Sequence, residues 1–354
     1  MPSKFERHAL IPGWQQARLE NACIVIMGAG ALGSEAARLL AMTGVGKIIL
    51  CDPDRVELSN LSRTPLYTES DIGSFKVEAA RDALRLLAPS MEVDARSLPM
   101  VNGVGLAELR DASLVLGCLD SRAARVQLAG RCGLVRAPSI DGGTDPWGGE
   151  VRSFLDPDGP CYACALTPGE RAVTDVPWSC LDVVSQSPEG AAAPSSALVA
   201  SWMSMYAVRH LMGLSVPKGA VSINAAQGNS RVTSLLRDSE CPLHHPLADS
   251  TKSSLGHRDV VRDLLDELGA EAFPLLWDPA RSCGRCEACG HEAGFLAPLS
   301  EIACPQCGAK LICRTTLELS SVPRELKLAS IGIAPREILA VRTARGMSFH
   351  ELNS

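Results

Sequence analysis

Positive charge is in short supply in this chain. Its 354 residues carry 34 Lys and Arg against 40 Asp and Glu, a formal net charge of −6. That balance argues against a dedicated nucleic-acid or membrane-surface binder, although an acidic enzyme can still carry a local basic patch. Long apolar runs are missing as well. The longest uncharged apolar stretch, Ala197 to Val208, runs into Arg209 and His210 and is too short to cross a bilayer. The first residues, MPSKFERHALIPGW, lack the apolar core of a secretory signal. No long-period repeat is present. These absences lead to the expectation of a soluble cytoplasmic protein without nucleic-acid or membrane partners. An apolar content of 46% over this length suffices for one large domain plus a smaller one.

Cysteine, by contrast, is abundant, with fourteen residues unevenly spread. Without a secretion signal a disulfide framework is not expected, and metal ligation or catalysis is the better account. Cys23, Cys51, Cys118 and Cys132 stand alone, mostly at apolar strand-like runs, and read as small buried hydrophobes. Cys161 and Cys164 form a CxxC pair, Cys180 stands alone, and Cys241 precedes His244 by three residues. Six more crowd the stretch from Cys283 to Cys313. Within it, CEACG and CPQCG are two knuckles, each followed by glycine, with 14 residues between their inner cysteines. That spacing reads as a zinc ribbon with ligands Cys286, Cys289, Cys304 and Cys307. Cys283 is an alternative ligand, and Cys313 is spare.

The clearest local pattern begins at Cys23. CIVIM reads as a buried strand, followed by Gly28, Gly30 and Gly33 in G-x-G-x-x-G spacing, a helix to about Met42, and a second strand, Lys47–Leu50, delivering Asp52. Glycines at that spacing let backbone N–H groups approach a phosphate at a helix N-terminus. An acidic residue some 20 positions on can accept from ribose hydroxyls. Further along, a helix is expected from Ser74 to Leu87, stopped by Pro89, and strands over Met91–Arg96 and Ser113–Gly117. A short helix over Val104–Leu109, a helix over Arg122–Gly133 and strands near Pro138–Gly142 and Gly149–Leu155 complete the alternation. The fold class is therefore α/β, with a Rossmann-like, mostly parallel sheet. Beyond Cys161 the pattern breaks into loop, then a helix over Ser195–Met212 and a hairpin over Val221–Asn224 and Ser230–Leu236. The expected division is 1–245 for the nucleotide domain, 246–275 for a linker and short helix, and 276–354 for the ribbon and a β-leaning tail.

A specific resemblance enters at Asp52. DPDRVELSNLSR resembles the D-x-D-x-V-x-x-S-N-L-x-R segment of the E1-like (ThiF–MoeB-type) adenylyltransferase family, which includes ubiquitin-activating enzymes and bacterial activators of sulfur-carrier proteins. The likeness extends over roughly residues 5–245 and implies an E1/ThiF-type adenylation domain that uses Mg-ATP. By resemblance, Gly28, Gly30, Ala31 and Gly33 cradle the nucleotide, Asp52 holds the ribose, and Asp54 and Asn60 line the site. Arg63 and Lys76 neutralise phosphate oxygens, and Asp120 holds Mg²⁺. Arg7 resembles an arginine that reaches the γ-phosphate from the partner subunit, which implies a homodimer. Ser121 departs from the family's frequent Asn, and Ala29-Gly30-Ala31 varies the glycine turn. Arg125 either reaches phosphates or lies on a helix surface. Relatives pair the CxxC knuckle with a second one beyond the core. Here CPLH takes its place, giving a second zinc site from Cys161, Cys164, Cys241 and His244, with His245 as the competing ligand.

The chemistry implied is attack by the C-terminal carboxylate of a small β-grasp protein on the α-phosphate of ATP, a step needing charge neutralisation and positioning rather than a general base. Cys180 lies where thioester-forming members carry their cysteine. The sequence alone ranks first an activating enzyme for a ubiquitin-like protein, captured as a thioester on Cys180 for an E2-like partner. Activation of a sulfur carrier for thiamine, molybdopterin or related biosynthesis is the alternative. A nicotinamide-dependent oxidoreductase is the reading from another class, and Lys76 and Asp120 speak against it.

Overall fold

The computed structural model describes residues 4–171, 192–298 and 302–353. It divides into two compact units, one comprising the chain up to His245 without Leu98–Arg110, the other comprising Leu98–Arg110 and the chain from Pro246 onward. Among the described residues no helix is long and apolar enough to cross a membrane.

The first unit begins with α1 (Gln16–Glu20), then β1 (Cys23–Met27), α2 (Ala31–Thr43), β2 (Lys47–Cys51), α3 (Lys76–Leu87) and β3 (Glu92–Arg96). After the segment that belongs to the other unit, with α4 (Met100–Gly103) and α5 (Leu106–Asp111), come β4 (Leu114–Gly117), α6 (Arg122–Val135), β5 (Ser139–Asp145) and β6 (Gly148–Phe154). A short α7 (Pro168–Arg171), the long α8 (Ala193–Leu211), β7 (Gly219–Asn224) and β8 (Asn229–Thr233) complete it. Its eight strands lie in the order β3-β2-β1-β4-β5-β6-β7-β8. The first five are parallel and the last three antiparallel. The reason is visible in the sequence: CIVIM, KIILC and LVLG are continuous apolar runs, and such runs are buried on both faces beneath crossover helices. Ile24, Ile26, Ile48, Leu50, Leu114 and Leu116 have no exposed surface. Helix α8, whose buried positions include Val199, Ala200, Met203 and Ala207, packs against α2, β5 and β6. Cys51, Cys118 and Cys132 are buried as expected, and burial pushes the Cys132 thiol up to about 12.

Strand order reverses between β1 and β4, because β2 and β3 extend the sheet on one side and β5 on the other. In such sheets a crevice opens beyond the carboxyl ends of the strands at the reversal, and ligands bind there.

The second unit contains β9 (Ser250–Gly256), α9 (Val261–Leu268), β10 (Phe273–Arg285), β11 (Glu292–Leu296), β12 (Cys313–Glu318), β13 (Ile338–Thr343) and β14 (Gly346–Asn353). The sheet runs β11-β10-β13-β14-β9, with β12 also paired to β10. Two expectations are corrected here. The stretch Pro246–His257 is not wholly a linker, since β9 pairs in parallel with β14 through its backbone while its side chains stay mostly polar. The segment 98–110 packs with the second unit rather than the nucleotide domain. Leu106 and Leu109 are fully buried, Leu106 N–H donates to Glu337 Oε1 at 3.1 Å, and Asn102 Nδ2 donates to Gly332 O at 2.9 Å. Arg110 makes a two-pronged ion pair with Glu351, at 2.9 and 3.1 Å.

Candidate functional site

The crevice is built first by close approach of backbone. Gly28 follows β1 with φ +97°, and its N–H donates to Cys51 O at 2.8 Å. A Cβ at Gly28 would lie 2.3 Å from Cys118 O, and one at Gly33 would lie 1.9 Å from Gly28 O, so any side chain would force the turn apart. Gly30 differs, because a Cβ there meets nothing within 4 Å. It precedes α2 as an N-cap that supplies no side-chain cap to the first amides of that helix. A helix N-terminus with uncommitted amides and a positive dipole end is suited to phosphate.

Asp52, at the end of β2, holds that turn in place. Its Oδ2 accepts from Ala29 N–H at 2.7 Å and its Oδ1 from Asp54 N–H at 2.8 Å. Burial raises its pKa, while Lys76 and the two amides pull it the other way. Each carboxylate oxygen keeps a further lone pair that a ribose hydroxyl can use. Tyr67 donates its hydroxyl to Ala29 O at 2.5 Å, fixing the next peptide of the turn.

Lys76 opens α3, and its N–H donates to Asp54 O at 2.9 Å. Its ammonium sits 2.8 Å from Asp54 Oδ2, a carboxylate that is 62% exposed. The lysine side chain itself is only 12% exposed, so the pair reaches solvent through Asp54. Asn60 is buried, and its Oδ1 accepts from Glu57 N–H at 3.0 Å. Arg63 donates to Ser59 O at 2.8 Å. The loop carrying both is fastened to the approach of α3 by Val56 N–H to Ser74 O and Gly73 N–H to Val56 O, each at 2.9 Å.

On the β4 side, Cys118 N–H donates to Met27 O at 2.8 Å, and exposed Asp120 follows two residues later. An exposed carboxylate beside a phosphate cradle is the oxygen donor that Mg²⁺ prefers. Ser121, where relatives often carry Asn, caps α6 by accepting from Ala124 N–H at 3.2 Å. Ser and Asn are about equally good caps, so the departure is conservative in its effect. Arg7 is exposed and precedes the short 3₁₀ turn His8–Leu10, and its expected target belongs to a second subunit. Cys180 lies outside the described residues.

Sequence reasoning left Arg125 between a phosphate contact and a helix surface, and missed its partner Asp141. Arg125, on α6, turns inward to Asp141 on β5, Nη1 to Oδ2 at 2.6 Å, instead of lying on a helix surface. Burial pushes the Asp141 carboxyl up to about 6, against the pull of Arg125 and Arg152. The available signal was an aspartate inside a strand, followed by two glycines.

Both cysteine clusters assemble. Cys161 Sγ lies 3.8 Å from Cys164 Sγ and 3.7 Å from Cys241 Sγ, and Cys164 Sγ lies 3.0 Å from His244 Nε2. In the ribbon, Cys286 and Cys307 are 3.6 Å apart, as are Cys289 and Cys304. In each set the four donor atoms lie within 4.8 Å of one another. A tetrahedral ion bonded at about 2.3 Å to sulfur and 2.0–2.1 Å to nitrogen needs separations of this size, and thiolate with imidazole suits zinc. His244, not His245, joins the first set. Cys283 is not an alternative ligand and Cys313 is not spare: they face each other across β10 and β12 and are joined by a disulfide. That disulfide stands against the expectation that the cysteines here form no disulfide framework.

The ThiF family matches residues 5–243. The chain belongs to the ThiF family. It is 31% identical over 245 residues to the molybdopterin-synthase adenylyltransferase of Escherichia coli, covering 67% of this chain and 94% of that protein. It is 31% identical over 235 residues to the sulfur carrier protein adenylyltransferase of Thermus thermophilus, covering 64% and 84% respectively. A crystal structure of E. coli MccB superposes with a TM-score of 0.58 at 20% identity, over 69% of this chain and 72% of that one, a likeness of fold. Like its family, this ThiF member is an ATP-dependent adenylyltransferase of E1-like type. That activity sets the nicotinamide reading aside.

Proposed function

We propose that the chain activates a small sulfur-carrier protein of β-grasp fold, joining the carrier's C-terminal glycine carboxylate to the α-phosphate of ATP. The observation that carries this is the likeness to a molybdopterin-synthase adenylyltransferase over 94% of that protein and 67% of this chain. It is supported by the likeness to one named for a sulfur carrier. These relatives favour the sulfur-carrier reading over ubiquitin-like conjugation with an E2-like partner, which the sequence alone ranks first.

In the reaction a carboxylate oxygen attacks the α-phosphorus, the bond to the bridging oxygen breaks, and pyrophosphate departs. A carboxylate is already a nucleophile, so the barrier is the approach of an anion to a polyanion, and catalysis rests on position and charge. The amides at Gly30 and Ala31 would cradle phosphate, with Gly28 and Gly33 permitting the turn. Asp52 would hold the ribose, with Asp54 beside it. Asn60, Arg63 and Lys76 would take phosphate oxygens, and Arg7 would join them from a second subunit of a homodimer. Asp120 would hold Mg²⁺, whose charge offsets that of the departing pyrophosphate. The two cysteine clusters would hold zinc as structural sites. Cys180 would accept the activated acyl group in a later step as a thioester, its thiolate attacking the acyl carbon and AMP leaving.

ATP–pyrophosphate exchange tests this reading. Exchange is expected with a sulfur carrier ending in Gly-Gly, and none with the same carrier lacking its last glycine. Exchange that ignores the terminal glycine, or that responds only to a ubiquitin-like protein, would overturn it.

A further inference from the structure

Arg125 is held from two directions. Its Nη1 donates to Asp141 Oδ2 at 2.6 Å, and its Nη2 donates to Leu119 O at 2.6 Å. Leu119 immediately precedes Asp120, so the second contact fixes the peptide that presents the carboxylate. The pair is largely enclosed, with side-chain exposures of 16% for Arg125 and 9% for Asp141. Two glycines make room for it. A Cβ at Gly117 would meet Asp141 Oδ1 at 2.9 Å, and one at Gly143 would meet the Arg125 guanidinium at 3.0 Å. Asp141 is itself backed by the charge of Arg152. Arg152 binds Glu150 at 3.0 and 3.1 Å and stacks 4.9 Å over the ring of Tyr162, which lies between Cys161 and Cys164.

With both terminal nitrogens committed to protein, Arg125 faces away from the role of a phosphate ligand. We propose that Arg125, anchored by Asp141, is a positioning residue that locks the Leu119 carbonyl and thereby aims Asp120 at the divalent cation of the nucleotide. The inference rests on the reading of Asp120 as the Mg²⁺ carboxylate. Groups that orient metal ligands in this way are worth about 10–100-fold in metal affinity when replaced. A lysine keeps the charge but lacks the planar fork that spans both partners.

The test is calorimetric titration of the full chain with the non-hydrolysable analogue AMPCPP, in Mg²⁺ and in EDTA. Asp120→Asn is expected to abolish the gain in affinity that Mg²⁺ gives. Arg125→Lys is expected to reduce that gain about 10-fold and leave affinity in EDTA unchanged. Asp141→Asn, nearly isosteric, should repeat the Arg125→Lys result if that variant does not fold. Full Mg²⁺ dependence in Asp120→Asn would sink the underlying assignment. Loss in Asp120→Asn with none in the Arg125 or Asp141 variants would sink the positioning role alone. Equal weakening with and without Mg²⁺ would also overturn it, since that result marks direct contact with the nucleotide or general distortion.

Discussion

The two cysteine clusters have nearly the same donors and very different positions in the chain. The first joins Cys161 and Cys164 to Cys241 and His244, eighty residues later, with α8, β7 and β8 between them. The ribbon gathers its four donors over a sequence separation of 21, each knuckle closing on its own backbone through Gly290 N–H to Cys286 O and Gly308 N–H to Cys304 O, both 2.8 Å. A link that closes a long loop removes more freedom from the unfolded chain than one that closes a short loop. The first cluster also seats its second arm on the nucleotide unit, where Leu243 O approaches α6 so closely that a Cβ at Gly133 would lie 2.3 Å away. The ribbon instead forms a small cluster of its own from Cys283, Cys286, Cys304 and Leu311. This is separate from the apolar core of Val261, Leu264, Leu276, Leu319, Leu328 and Leu339 in the same unit. Similar chemistry should therefore have global consequences in one place and local ones in the other.

The largest expected effect comes from breaking the first cluster. Structural zinc contributes on the order of 10 kcal/mol to small zinc domains, so losing one thiolate costs several kcal/mol. For a unit of this size each kcal/mol is about 2–4 °C. Cys241→Ser should lower the melting temperature of the nucleotide unit by roughly 10 °C or more and remove one zinc from the two expected per chain. Calorimetry with metal analysis reads both, and an unchanged melt at reduced zinc would show that the long loop is closed by packing alone.

Cys286→Ser should remove the same quantity of metal with a smaller result. Hydrogen exchange should lose protection around residues 283–313, while the nucleotide unit melts within about 2 °C of the parent. The β13–β14 pairing should stay protected, because its core lies elsewhere. Simultaneous loss of β13 and β14 would show that the ribbon and the core beneath it fold as one.

The same contrast between near and far explains what could be read from the sequence. The crevice was legible because its parts are local and chemically particular. Glycines are forced by backbone contact at Gly28 and Gly33, Asp52 ends an apolar strand, and Lys76 opens a helix. The ribbon was legible because its spacing states the chemistry. Register was not: Cys283 and Cys313 meet only because β10 and β12 pair antiparallel with those two residues opposite. Nor was the home of Leu98–Arg110, whose apolar residues suit any core and whose partners lie more than 200 positions away. β9 escaped because STKSSLG is held by backbone pairing at a sheet edge, leaving little hydrophobic alternation to detect. Arg125 was visible as a charge but its direction was not, since Asp141 reaches it from β5, beyond the end of its own helix.

The smallest effect tests what holds the second unit once the ribbon is set aside. Glu351 accepts from Arg110 at 2.9 and 3.1 Å and from Arg336 at 3.2 Å, and those cations hold its carboxyl below the ordinary glutamate value against the opposing effect of burial. A lowered folded pKa means that the unfolded chain takes up the proton first. The stabilisation is therefore complete above the unfolded value near 4.5, and is lost as pH falls through the folded value. Glu351→Gln should cost about 1.5–3 kcal/mol at pH 7, the range for hydrogen bonds to a charged group. In urea unfolding of the second unit, the gap between parent and variant should stay constant from pH 7 to about pH 5 and narrow below it. A gap that persists undiminished well below pH 4 would mean that shape rather than charge joins Arg110 to β14. The fastening of Leu98–Arg110 would then rest on Leu106, Leu109 and the Glu337 contact alone.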